Sequence, residues 1–183
     1  MGRKTLVAAA VLAGAFGLFA GLGIGNHYGY QRAERLCTLA DGIHVKVRRV
    51  IDGDTIVLDD NGNDGEHIRL LGINAPEMRK AGRKGTEPYA VEAKNYLEEM
   101  IKENGNKVVL ERDFMNARTL YRDDRGRPLR HLFIGEENIS IRLLREGYAV
   151  SFMSKGLKDE AEILKTEEEA KNAKRKVWAQ SNQ

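Results

Sequence analysis

The chain has 183 residues, 42% hydrophobic and 31% charged, with 30 Lys and Arg against 27 Asp and Glu. That length suits one domain with a short appendage, and the composition excludes a disordered chain. The single cysteine, Cys37, excludes an internal disulfide framework and any multi-cysteine zinc site.

Residues 1–25 differ from the rest. Arg3 and Lys4 are their only charges, and the run from Thr5 to Gly25 has none. As a helix that run would be about 31 Å long, close to the hydrocarbon thickness of a bilayer. A basic head before an apolar run reads as a cleaved signal peptide or as a retained signal anchor through residues 5–25. The length suits an anchor, while Ala20 and Gly25 suit a cleavage site, and both readings stand. In either case the rest of the chain faces outward, secreted or held at the membrane. Residues 26–41 read as a polar linker. Glu34 and Arg35, just before Cys37, argue against a lipobox.

The domain is expected over residues 42–180. His44 to Ile51 alternates and is rich in Val, so it predicts a strand. Asp52-Gly53-Asp54 is a turn signal, and Thr55 to Leu58 a second strand. Asp59 to Gly65, dense in Asn, Asp and Gly, is expected as a hairpin loop, with a third strand over His67 to Ile73. A basic, glycine-containing loop follows from Glu77 to Gly85. Ala90, Ala93, Tyr96, Leu97, Met100 and Ile101 recur at three- and four-residue spacing and predict a helix over Glu87 to Glu103. Val108 to Leu110 and Leu132 to Ile134 anchor two more strands. Ile139, Leu143 and Leu144 mark a short helix stopping at Gly147, and a last charged helix runs from Leu157 to near Trp178. Five strands, with a helix inserted after the third, predict an α+β fold: an OB-type five-stranded barrel with three helices.

Familiar catalytic signatures are missing. The four His are scattered, with no HExxH spacing, and there is no nucleophile elbow or phosphate loop. An EF-hand reading of the Asp60 loop fails, because Gly62 and Leu71 fall where oxygen ligands are needed. Asn138 begins a glycosylation sequon but stands at a helix start, where it reads as an N-cap.

Three segments remain: Asp52-Gly53-Asp54-Thr55, then Arg69-Leu70-Leu71-Gly72-Ile73-Asn74-Ala75-Pro76-Glu77, then Asp123-Asp124-Arg125-Gly126-Arg127-Pro128-Leu129. Each alone is an ordinary turn, edge strand or polar loop. Together and in this order they resemble the staphylococcal nuclease, or thermonuclease, family. Leu143 to Ala149 and Val177-Trp178 extend the likeness, which covers about His44 to Trp178.

The resemblance implies a Ca²⁺-dependent phosphodiesterase that cuts DNA and RNA to 3′-phosphate ends, expected as a monomer. Glu77 would be the general base or the orienter that activates a water. Arg69 and Arg127 would donate to the phosphate, since a planar, permanently charged fork suits an anion gaining charge. Asp54 and Asn74 would be side-chain ligands to Ca²⁺, and Ala75 would offer its carbonyl. Two departures stand out. Asn74 replaces an Asp and removes one negative charge, which predicts Ca²⁺ binding in the roughly 10⁻⁴–10⁻³ M class. Asp124-Arg125 and Phe152-Met153 replace a Lys-Tyr pair and further tyrosines, so Arg125 is left to hold a terminal phosphate and Phe152 to stack a base.

The alternative is a catalytically inactive nuclease-like barrel that only binds nucleic acid or protein. Retention of Arg69, Glu77 and Arg127 beside Asp54 favours the enzyme. A cell-surface calcium-binding module would leave both arginines without a role. Without Arg3 and Lys4, the formal charge of +3 falls to +1 for residues 26–183. Nucleic-acid binding must therefore come from local placement of Arg69, Arg127 and the loop holding Arg79, Lys80, Arg83 and Lys84.

Overall fold

The computed structural model describes residues 42–78, 85–113 and 122–179. The candidate signal or anchor, the linker with Cys37, and the four cations Arg79, Lys80, Arg83 and Lys84 lie outside those residues. Among the described residues no helix is long and apolar enough to cross a membrane.

Strand β1 (Ile43–Asp52) pairs antiparallel with β2 (Thr55–Asp60) across the Gly53–Asp54 turn, and β2 pairs with β3 (Asn63–Leu70). The second turn is only Asn61-Gly62, with φ of 49° and 91°. Asn-Gly with both φ positive is the favoured two-residue hairpin loop, because its twist matches that of the strands. The hairpin loop is therefore shorter than composition predicts, and Gly65 lies within β3.

β1 also pairs with β5 (Lys107–Glu111), and β5 with β6 (Leu129–Ile134), both antiparallel. A short parallel ladder between β3 and β6 completes the ring, with Arg69 opposite Leu129 and Leu70 opposite Arg130. The result is a closed five-stranded barrel with three helices, the OB-type architecture expected from the sequence. Its core holds Val47, Val50, Ile56, Leu58, Ile68, Leu70, Leu110 and Leu132, all buried.

The predicted third strand does not run on to Ile73. It breaks at Leu71-Gly72, and Ile73–Asn74 becomes a separate strand, β4, paired with a late strand described below. Gly72 has φ 80°, and a Cβ there would lie 2.6 Å from Ile163 Cδ1. Only glycine combines that backbone with that clearance.

Helix α1 (Ala90–Glu103) buries Ala90, Ala93, Leu97, Met100 and Ile101, the stripe read from the sequence. It starts after Pro88-Tyr89 rather than at Glu87. The short strand β7 (Glu137–Asn138) pairs with β6 and leads into α2 (Ile139–Arg145). Asn138 caps α2, its side chain accepting from the Ser140 N–H at 3.0 Å. Strand β8 (Val150–Ser151) is the partner of β4, with Asn74 opposite Val150. Helix α3 (Glu160–Asn172) begins three residues later than predicted, and a 3₁₀ turn at Lys176–Trp178 follows it.

Candidate active site at the barrel closure

The three sequence segments converge because of how the barrel closes. Antiparallel pairing puts Thr55 of β2 opposite Arg69 of β3. The Leu70 N–H donates to the Asp54 carbonyl at 2.9 Å, so the turn after β1 lies along the end of β3. On the other side, the Arg69 N–H donates to the Pro128 carbonyl at 2.9 Å. Arg127 is thereby delivered to the same place, although it is far away in sequence.

Packing of α1 tightens this corner. A Cβ on Gly53 would lie 2.7 Å from Ala75 Cβ and 2.8 Å from Ala93 Cβ. Glycine there lets the turn sit against both the segment after β4 and the helix.

Asp54 lies at the centre, with its side chain 7% exposed. Its Oδ2 accepts from the Ala75 N–H at 2.7 Å and pairs with Arg69 Nη2 at 3.0 Å, and its Oδ1 accepts from the Thr55 hydroxyl at 3.0 Å. Arg69 Nη2 also donates to Asn74 Oδ1 at 3.0 Å, and its Nη1 to the Leu70 carbonyl at 3.0 Å. The Thr55 hydroxyl in turn accepts from Arg127 Nη1 at 3.2 Å. One hydrogen-bonded chain therefore runs Asn74–Arg69–Asp54–Thr55–Arg127.

Asp123 fixes the far end. Its Oδ2 accepts from Arg127 Nε at 2.7 Å, and its Oδ1 from the main-chain amides of Arg127 and Arg125 at 2.8 and 3.0 Å. Burial raises the Asp123 carboxyl, but the Arg127 amide and guanidinium outweigh it and hold the acid below its ordinary range.

Asp54 shows the opposite balance. Burial pushes its carboxyl up to about 7, the Arg69 guanidinium pulls it down, and Asp52 alongside adds to the rise. Asp52 Oδ1 accepts from the Asp54 N–H at 3.2 Å. Among the described residues no three His, Cys, Asp or Glu side chains gather as a ready-made metal cage, and Asp54 and Asp52 are the two carboxylates at this corner. The available side-chain donors are the oxygens of Asp54, Asp52 and Asn74. That hard, oxygen-only set fits a Ca²⁺-type ion, and it contains no sulfur or imidazole to favour zinc.

Asp54, Arg69, Asn74, Ala75 and Arg127 are thus gathered into one corner, Ala75 through its N–H. Glu77 lies two residues beyond Ala75, half-buried, and among the described residues its carboxylate makes no hydrogen bond. Its N–H donates to Glu87 Oε2 at 3.0 Å. Arg125 enters the site only through its main-chain amide and is otherwise exposed. Phe152 is 50% exposed, and its N–H donates to the Gly72 carbonyl at 3.0 Å, next to β4. Asp52, Thr55 and Asp123 lie in the sequence segments without a role of their own there, and Glu87 lies outside them. For Thr55 the only local signal is its place in the Asp-Gly-Asp-Thr turn. For Asp123 it is the spacing of four residues to Arg127 across a Gly.

Comparison with known proteins agrees with this geometry. The family described as "Staphylococcal nuclease homologue" matches residues 67–180. The thermonuclease of Staphylococcus hyicus is 31% identical over 135 residues, spanning 73% of this chain and 75% of that protein. The thermonuclease of Staphylococcus intermedius is 32% identical over 133 residues, 72% of this chain and 74% of its own length. The SPbeta prophage-derived endonuclease YokF of Bacillus subtilis (strain 168) is 31% identical over 141 residues, 76% of this chain but 45% of that protein. These relatives support a nuclease, a hydrolase of phosphodiester bonds. With a matching barrel, and with its arginines and acids meeting where that barrel closes, this chain belongs to the staphylococcal nuclease family.

Proposed function

We propose that the chain is a Ca²⁺-dependent nuclease that hydrolyses DNA and RNA and leaves 3′-phosphate ends. The observation that supports it most is the continuous hydrogen-bonded chain from Asn74 to Arg127, which ties two guanidinium groups to the buried Asp54 carboxylate.

In this reading the carboxylate of Glu77 takes a proton from a water molecule as its oxygen attacks phosphorus. The P–O5′ bond breaks, the 5′-oxygen leaves as an alcohol after taking up a proton, and the phosphate stays on the 3′-oxygen. Arg69 and Arg127 donate to the non-bridging oxygens as negative charge grows there. Asp123 and Thr55 hold Arg127 from two sides, so little reorganisation is needed when that charge appears. Asp54, Asn74 and the Ala75 carbonyl would hold Ca²⁺, with Asp52 adjacent. When bound, the ion supplies Lewis-acid stabilisation of the phosphate and offsets the acidic pair. Arg125 and Phe152 extend the site for a terminal phosphate and a stacked base, on single-stranded or denatured substrate. The domain acts as a monomer outside the cytoplasm, delivered by residues 1–25.

The test uses the full chain on denatured DNA, with Ca²⁺ or with a chelator, beside Glu77→Gln. Cleavage is expected only for the unaltered chain with Ca²⁺, with end-labelled products carrying 3′-phosphate. Equal cleavage in all three samples removes the mechanism. Membrane fractionation then tells a retained anchor from a cleaved signal.

A further inference from the structure

Glu77 sits on a segment with little regular structure to hold it. Residues 75–77 belong to no strand or helix. Their backbone is held instead by two side-chain carboxylates on either side of Pro76. Asp54 Oδ2 accepts from the Ala75 N–H at 2.7 Å, and Glu87 Oε2 accepts from the Glu77 N–H at 3.0 Å. The second contact is reciprocal, because the Glu87 N–H donates to the Glu77 carbonyl at 3.1 Å. The two bonds tie the ends of residues 77–87 together at a neck.

Glu87 is itself fastened to a rigid body. Its carbonyl accepts from the Ala90 N–H at 3.1 Å, the first residue of α1. That helix is fixed against the barrel, since Ala93 packs so close to the Asp54 turn that only glycine fits at position 53. Between Glu87 and the helix the chain bends at Tyr89, with φ 66° and ψ 4°. A tyrosine in the left-handed region is strained, and such strain persists only where surrounding contacts over-determine it.

We infer that Glu87 is a positioning residue for the reaction: it transmits the fixed position of α1 to the Glu77 main chain and so sets where the Glu77 carboxylate stands. The inference rests on the reading of Glu77 as the group that activates water. It assigns Glu87 no contact with substrate. Toward the Glu77 amide its carboxylate serves as a hydrogen-bond acceptor, so an amide at the same position can keep that bond.

The test compares the full chain with Glu87→Ala, Glu87→Gln and Glu77→Gln. It reads kcat and KM on denatured DNA with Ca²⁺, the folded fraction by circular dichroism, and exchange of the Glu77 amide by NMR. Glu87→Ala should lower kcat per folded molecule by about 10- to 100-fold, leave KM within about twofold, and speed exchange at Glu77. Glu87→Gln keeps an acceptor and should restore kcat to within about threefold and slow the exchange again. The inference is overturned if Glu87→Ala keeps its kcat per folded molecule, or if Glu87→Gln loses as much as Glu87→Ala. Wild-type activity in Glu77→Gln would remove the underlying reading of Glu77, and protection of the Glu77 amide would still show whether the clamp exists.

Discussion

Among the described residues Thr55 is the one whose side chain hydrogen-bonds to both Asp54 and Arg127, which makes Thr55→Val an informative change. Valine has nearly the same shape but lacks the hydroxyl, and at 2% exposure no water can take its place. Two bonds vanish, the one donated to Asp54 at 3.0 Å and the one accepted from Arg127 at 3.2 Å. Bonds to charged groups are worth about 1.5–3 kcal/mol each. Asp54 keeps the Ala75 amide and Arg69, and Arg127 keeps Asp123, so the low end applies and the loss is about 3 kcal/mol. Burial of one extra methyl returns about 0.8 kcal/mol. The net cost of about 2 kcal/mol lowers the melting temperature by roughly 7 °C for a domain of this size. Arg127 then swings on Asp123 alone, and kcat should fall about 10- to 100-fold with KM little changed. Melts by circular dichroism and cleavage assays well below the melting point measure both effects. Thr55→Ser keeps the hydroxyl and should keep most of kcat. A Thr55→Val enzyme that melts lower yet retains full kcat would refute the bridge as part of the active site.

Asn74→Asp adds a negative charge to the cation corner while keeping an acceptor for Arg69. Calorimetry should show Ca²⁺ binding about tenfold tighter, and an unchanged calcium dependence would sink the assignment of Asn74 as a ligand. Gly53→Ala forces a methyl to within 2.7 and 2.8 Å of two buried alanine Cβ atoms. Overpacking of that kind costs about 1–3 kcal/mol, seen as a lower denaturation midpoint with unchanged m-value. Asp54, pushed up to about 7 from 3.8, binds a proton in the folded state that the unfolded chain has already released. Stability in chelator should therefore fall as pH rises from about 5 to 7 and flatten above it. The carboxyls held low, Asp59, Asp64, Asp123 and Glu167, act in the other direction and only toward lower pH, where their contribution is lost. Asp54→Asn should remove the decline between pH 5 and 7, and a slope that persists in that variant would place its origin elsewhere.

Glu167 shows how far from the site its geometry is maintained. This buried acid of α3 accepts from the Ser151 N–H at 2.7 Å and the Ser151 hydroxyl at 2.9 Å. Ser151 lies on β8, the partner of β4, which carries Asn74. A helix at the end of the chain thus pins the strand that presents a candidate metal ligand, a connection that no local sequence pattern announces.

Alternation in His44 to Ile51, the apolar stripe of α1 and the Asn138 cap depend on residues within a few positions of one another, so the sequence alone determined them. The three charged segments were equally legible, because their residue types and order are a one-dimensional pattern. Tertiary structure decided what they do together. The parallel ladder between β3 and β6 places Arg127 beside Arg69, although 58 residues separate them in the chain. Gly72 splits the third strand because Ile163, from the last helix, leaves no room for a side chain. Burial at the closed barrel raises Asp54, while partner geometry lowers Asp123, and two like carboxyls become unlike. Local propensity acts through neighbours in the chain, whereas the field and the hydrogen bonds at a site come from groups that only folding brings within a few ångströms.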